Sequence, residues 1–317
     1  MTRAVPGSSE SPRRDTGRIP GAEGVPAYAL SAPDPSSIPI LIAVPHAGRT
    51  YPANLSARMR HPRAAALRLE DRYADLLGRE VAQRTGAALL IANAPRAMID
   101  LNRAEDDVDW DMLVPGKPNR GDAPMGLRAR SGLGLIPRRL HGLGEIWKQR
   151  LAEEELAERI ATIHTPYHAA LARELARLRK RWGAALLIDL HSMPPLGLRG
   201  PRPPSVFVIG DRFGVSCHGT LIASAFGYFA EVRHAAGHNR PYAGGYVLER
   251  HAAPHEGLHA LQLEVDRSCY LDHAMSEPGA GFAAMVDVLV GLTERLATQV
   301  AQLGQADDPA RWAVAAE

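Results

Sequence analysis

Apolar residues along the chain form short continuous runs, separated by longer stretches in which they recur every three to four positions. This alternation predicts strands and helices in turn. Apolar runs at 38–44 and 87–92 flank a helical stretch over 63–84, so the body opens as strand, helix, strand. A charge-laced helical pattern follows from about 138 to 182, with a break expected at Thr165-Pro166 because proline removes a helix hydrogen bond. Runs at 184–190 and 206–209 suit buried parallel strands. A helix over 219–229, a strand near 231–234, a strand over 259–265 and a last helix over about 279–303 complete the pattern. The predicted class is α/β, with a mostly parallel central sheet covered by helices and ligands gathered at the carboxyl ends of strands.

Segments without such a pattern set the boundaries. Residues 1–36 are dense in Pro, Gly, Ser and charge, and are expected to form a flexible N-terminal arm that cannot offset the entropy of ordering. The α/β body is expected over 37–304 and a C-terminal tail over 305–317. Between Asn102 and Pro137 the density of Gly, Pro and Asp predicts a long irregular loop, of the kind that is usually functional or disordered.

Composition narrows the partners. The formal net charge is +2 and no basic tract is concentrated, so there is no electrostatic footprint for nucleic acid or an anionic membrane. No stretch approaches the ~20 apolar residues that span a bilayer, and no secretory apolar core opens the chain. A soluble protein of the cytoplasm is expected. Cys217 and Cys269 are too few for a disulfide scaffold and too far apart for a zinc ribbon, and both are read as reduced.

The informative polar residues stand at the ends of the buried runs. The first run ends in Pro45-His46-Ala47-Gly48. The second leads through Pro95-Arg96 to Ile99-Asp100-Leu101-Asn102-Arg103, and the run from 184 ends in Asp189-Leu190-His191-Ser192. In this fold class those ends converge, and two histidines with carboxylates on one rim suit a catalytic metal. The third ligand is then a carboxylate, with Glu70, Asp71 and Asp75 as candidates, although Asp71 and Asp75 also read as an ordinary charged helix face. Glu264 is an acid inside the apolar run Leu261-Gln262-Leu263-Glu264-Val265, an expensive placement unless the group is paired or functional. Strand alternation turns it away from Leu263 and Val265. Asp189 is either a cap or a partner of His191. His251, His255 and His259 have helical metal-pair spacing, but Pro254 interrupts it and a surface loop is expected. Gly244-Gly245 signals a turn, a close backbone approach or a helix entry.

Taken in order, eight blocks resemble those of the N-formylglutamate amidohydrolase family: Val44-Pro45-His46-Ala47-Gly48, Asp71-Arg72-Tyr73-Ala74-Asp75, Ile99-Asp100-Leu101-Asn102-Arg103, Gly132-Leu133-Gly134, Pro166-Tyr167-His168, Ile188-Asp189-Leu190-His191-Ser192, the segment from Asn239 to Tyr246, and Leu261-Gln262-Leu263-Glu264. The resemblance spans about His46 to Tyr270. It implies a mixed sheet of zinc-carboxypeptidase-like type and one zinc ion, with His46 and His191 as ligands and Glu264 as the general base. It also implies that Asn102 and Arg103 hold a substrate carboxylate and polarise the scissile carbonyl, which agrees with the bidentate fork of arginine. Arg240 is assigned the second carboxylate with Arg96 in reserve, and Tyr246 is placed beside the substrate. Zinc carboxypeptidases take their carboxylate ligand three residues after the first histidine. That position here is Arg49, so the ligand is assigned to Asp71, with Glu70 the alternative. Ala47 stands where the family often has serine. The implied activity is zinc-dependent hydrolysis of N-formyl-L-glutamate to formate and glutamate, in histidine degradation. The alternatives are a deacylase or peptidase acting on another N-acyl amino acid, with specificity set by loop 104–137, and a non-catalytic metal-binding protein of the same fold.

Overall fold

The computed structural model describes residues 16–114, 126–197 and 204–306. Its sheet has seven strands: β1 (Tyr28–Ser31), β2 (Ile40–Val44), β3 (Ala88–Ala92), β4 (Ala185–Met193), β5 (Phe207–Gly210), β6 (Ala236–His238) and β7 (Leu258–Asp266). They lie in the order β1-β3-β2-β4-β7-β5-β6. The four strands from β3 to β7 run parallel, as do β5 and β6, whereas β1 and β5 join their neighbours antiparallel. The α/β class with a mixed, mostly parallel sheet is therefore present as the sequence implies.

Side-chain alternation divides the core between the two sheet faces. Ile40, Ile42 and Val44 of β2, Leu186, Ile188 and Leu190 of β4, and Leu261, Leu263 and Val265 of β7 face one way. They pack on α1's successor and two later helices: with α1 (Pro62–Leu69) preceding it, α2 (Ala74–Thr85) shares this face with α4 (Gly219–Glu231) and α6 (Phe282–Ala306). Leu41, Ala43, Ala185, Leu187 and Ala260 face the other way, onto α3 (Thr165–Trp182) and α5 (Tyr246–His251). Continuing the period of two along β4 and β7 turns Asp189, His191, Gln262 and Glu264 to this second face. Register then sets Gln262 opposite Asp189 and Glu264 opposite His191.

Several expectations need correction. Residues 16–36 are not a flexible arm: Ile19, Ala27 and Tyr28 are buried and β1 pairs with β3, Tyr28 opposite Ala92. A four-residue strand among prolines and glycines shows no period, and it is ordered by docking on an edge formed elsewhere. Residues 1–15 of the arm, 115–125 of the long loop and 307–317 of the tail lie outside the described residues. The helix expected over 63–84 is two helices, α1 and α2, separated by residues 70–73, with Tyr73 in the left-handed region at φ 57°. Helix does not begin at 138 but at Glu153, and Pro166 does not break it. A π-helical turn, Ile160–His164, carries Glu153–Arg159 into α3, so the chain passes the proline by widening one turn. The strand expected near 231–234 is β6, a few residues later. His251 and His259 are buried rather than on a surface loop, with only His255 strongly exposed. Both cysteines are free thiols, as expected.

Candidate metal centre and active site

The break between α1 and α2 is the first element of the site. The Asp71 N–H donates to the His46 carbonyl at 2.9 Å, so the loop after β2 and the loop before α2 are tied back to back. His191 reaches the same point from the second face of β4. The three side chains, all buried, offer ligand atoms within 4.8 Å of one another. Asp71 Oδ2 lies 3.0 Å from His191 Nδ1 and 3.5 Å from His46 Nδ1. Its other oxygen, Oδ1, accepts from Arg267 Nη2 at 3.1 Å and from Ser192 Oγ at 3.2 Å. One carboxylate oxygen is thus anchored and the other faces both imidazoles.

The far ring nitrogens are held by two further carboxylates. His46 Nε2 donates to Asp100 Oδ1 at 2.7 Å, and His191 Nε2 donates to Asp189 Oδ2 at 2.8 Å. With each Nε2 committed to a carboxylate, both Nδ1 atoms are turned toward Asp71. Asp100 and Asp189 are fully buried. Burial opposes ionisation of Asp100, yet Arg96, whose Nε donates to Oδ2 at 2.9 Å, together with His46 and Arg103, holds it well below the usual carboxylate range. Burial likewise opposes the charge of Asp71, but its contacts with the His191 and His46 rings hold it well below that range. Burial alone would lower His191; Asp189 and Asp71 instead raise it well above the usual imidazole value.

This donor set fits a divalent ion such as zinc. Two imidazoles and one carboxylate are an ordinary catalytic zinc shell. Each imidazole is backed by its own carboxylate, and His46 Nδ1 is a buried polar atom with no hydrogen-bond partner among the described residues.

Glu264 stands beside His191 on the neighbouring strand, and Gln262 Nε2 donates to its Oε1 at 2.7 Å. Burial pushes its carboxyl up to about 7, with His191 opposing and Asp71 reinforcing the rise. Asn102 is positioned by three contacts. Its N–H donates to Asp100, its Oδ1 accepts the Val247 N–H at 2.9 Å, and its Nδ2 approaches Gln262 Oε1 at 3.3 Å. Gly245 is required here: a Cβ at that position would lie 2.4 Å from Asn102 Oδ1, which is the close approach the Gly-Gly pair signals.

His46, Asp71, His191, Glu264, Asn102, Arg96, Arg103 and Tyr246 all line one cavity of about 650 Å³. Other expected residues fall outside it. Glu70 turns away into an ion pair with Arg72 at 2.9 Å, and Asp75 pairs with Arg49 through both oxygens at 2.8 and 2.9 Å. Arg240 is exposed in the turn after β6 and does not line the cavity, which this turn meets from Tyr242 to Tyr246. Sequence reasoning missed Asp100 as the partner of His46 and Arg267 as the anchor of Asp71. It also missed Arg68, Arg128 and Arg212 on the cavity wall. Arg68 donates to the His141 carbonyl and Arg212 pairs with Glu249, whereas the Arg128 guanidinium has neither hydrogen bond nor ion pair among the described residues.

Residues 38–271 match the model of the N-formylglutamate amidohydrolase family. The chain is 31% identical over 247 residues to the N-formylglutamate deformylase of Pseudomonas aeruginosa, covering 74% of this chain and 83% of that protein. It is 33% identical to that of Pseudomonas putida, with 74% and 82% covered. Among solved structures, it resembles the N-formylglutamate amidohydrolase of Ralstonia eutropha JMP134 at TM-score 0.78 and 32% identity, covering 87% of this chain and 99% of that one. A gene product of Agrobacterium tumefaciens, at TM-score 0.62 and 17% identity, shares the fold, with 86% of this chain and 94% of that one covered.

Proposed function

Since the chain belongs to the N-formylglutamate amidohydrolase family and is an amidohydrolase acting on an amide C–N bond, we propose that it hydrolyses N-formyl-L-glutamate to formate and glutamate with a zinc ion held by His46, Asp71 and His191. The observation that carries this reading is the convergence of two carboxylate-backed imidazoles on Asp71 Oδ2, with Glu264 register-paired to His191 and arginines lining the same cavity. Zinc in that position supplies Lewis-acid polarisation of the formyl carbonyl and of the attacking water.

The chain's own groups do the rest. Glu264, held near neutrality by burial, takes the proton of the attacking water and passes it to the departing amine nitrogen. The Asn102 amide, its oxygen occupied by the Val247 N–H, presents Nδ2 toward the reacting centre. Arg103 receives one substrate carboxylate. Its Nε and Nη1 are committed to the Leu133 and Asn102 carbonyls, which aims the guanidinium. Arg128, the cavity arginine whose guanidinium has no partner among the described residues, receives the second in place of Arg240.

The test is to measure zinc content and formate release from N-formyl-L-glutamate on one preparation, before and after chelation and zinc restoration. Stoichiometric zinc with chelator-sensitive, zinc-restored release supports the reading. Release unaffected by complete zinc removal overturns the metal assignment, and zinc without formate release overturns the substrate.

A further inference from the structure

Behind the cavity wall lie three imidazoles that the reaction above does not use. His164 and His168 are fully buried, and His251 is buried at 7% exposure. His164 closes the π-helical turn Ile160–His164, and His168 sits at the start of α3. The widened turn brings the two rings together with centroids 4.3 Å apart, both against the segment Leu101–Arg103.

Each ring commits one nitrogen to a backbone carbonyl. His168 Nε2 is 3.0 Å from the Leu101 oxygen and His164 Nε2 is 2.9 Å from the Arg103 oxygen. A carbonyl only accepts, so both Nε2 atoms carry the proton. The carbonyl between them, that of Asn102, accepts from Arg103 Nη1 at 2.6 Å. Three successive carbonyls are therefore engaged, and the peptide planes on both sides of Asn102 are fixed. The other nitrogen of His168, Nδ1, lies 2.9 Å from His251 Nε2 and accepts its proton. His251 ends α5, whose first turn gives the Val247 N–H to Asn102 Oδ1. The contacts close on themselves: backbone at 101, α3, α5, and back to the Asn102 side chain. Tyr246, which lines the cavity, sets its ring 5.8 Å from that of His164 and 5.3 Å from that of His168.

We propose that His164 and His168 are positioning residues, whose ring N–H groups hold the two carbonyls flanking Asn102 and thereby set the Asn102 amide and the Arg103 guanidinium toward the substrate. The proposal rests on the assignment of Asn102 and Arg103 to substrate binding made above. The charge state agrees with the geometry. Burial, with repulsion from His164, His251 and Arg250, holds His168 well below the usual imidazole range, and burial lowers His164 as well, although Glu105 stands 3.3 Å from its Nδ1. With both nitrogens engaged, His168 is a hinge of the backbone and not a proton shuttle.

The experiment compares zinc-loaded wild type, His168→Phe and His168→Gln on N-formyl-L-glutamate. Phenylalanine keeps the ring and loses the donor; glutamine restores an N–H near the place of Nε2. His168→Phe is expected to raise KM by about three- to tenfold, the cost of one hydrogen bond, with kcat changed less and zinc retained, and His168→Gln is expected to recover most of the KM. A purely structural role would lower the thermal midpoint and leave KM alone. Wild-type KM in folded His168→Phe, or a glutamine variant no better than phenylalanine, overturns the proposal. Ring-nitrogen NMR on the wild type gives an answer even where the variant does not fold. Neutral Nε2–H tautomers for His164 and His168 at pH 7.5 support the assignment, and Nδ1–H or charged rings overturn it. An inactive wild type is a failure of the substrate assignment, and the NMR measurement still decides the histidine geometry.

Discussion

His251 titrates into a measurable stability change. Burial, reinforced by Arg250 and His164, lowers its imidazole to about 4, against an ordinary value near 6.5 in the unfolded chain. Below pH 6.5 the unfolded chain binds a proton that the folded protein does not, so folding stability falls as pH drops, and the loss is complete only below about pH 4. The gap corresponds to about 3 kcal/mol, at ~1.4 kcal/mol per pH unit. Depressed carboxylates such as Asp71 and Asp100 also lose stability on acidification, but in a lower window, as pH falls from near 4 toward their folded values. The perturbation is His251→Phe, which keeps a ring against His168, now stacked at 5.2 Å, and removes the titrating group. Urea unfolding of both proteins at half-unit steps from pH 8 to pH 4.5, at constant zinc and salt, reads the difference. The variant is expected to start less stable at pH 8, because it leaves His168 Nδ1 without its donor, and then to lose less on acidification. The two curves should converge by roughly 2–3 kcal/mol across the range. Parallel curves would show that His251 is already charged, or equally solvated in both states, and the buried cluster reading would fail.

Three further outcomes test the site. Asp71→Asn should lose zinc while Glu70→Gln keeps it, because only Asp71 faces both Nδ1 atoms; metal analysis showing the reverse would transfer the ligand to Glu70. Glu264→Gln should retain zinc and KM while kcat falls by ~10²–10⁴, the contribution of positioned proton transfer, and steady-state kinetics with near-normal kcat would make Glu264 structural. Arg128→Met should reduce kcat/KM for N-formyl-L-glutamate by roughly tenfold or more, equivalent to ~1.5–3 kcal/mol for a charge-assisted bond, and should barely change N-formyl-L-glutamine; equal losses on both substrates would exclude a side-chain carboxylate contact.

What the sequence by itself determined is what each element reports about its own two sides. Continuous apolar runs at β2, β3 and the first half of β4, with the mostly apolar pattern of β7, identify buried parallel strands, and polar residues at their ends, His46, His191 and Glu264, stand out because burial of such groups is costly without a purpose. Period-two alternation along β7 is enough to turn Glu264 away from the leucines. Only the tertiary structure decided which groups meet. Glu70, Asp71 and Asp75 are equivalent candidates along the chain, and a break of four residues between α1 and α2 separates them: Asp71 toward the imidazoles, Glu70 toward Arg72, Asp75 toward Arg49. Asp100 and Arg267 find His46 and Asp71 across 54 and 196 positions, distances over which local pattern carries no information. β1 has no legible period because four residues gain order only from the edge of β3, and the histidines at 164 and 168 read as ordinary helix positions and His251 as part of a surface loop until a π turn and two helices bring them behind Asn102. Hydrophobic periodicity records the direction in which a segment buries itself; the order and register of the sheet set what it is buried against.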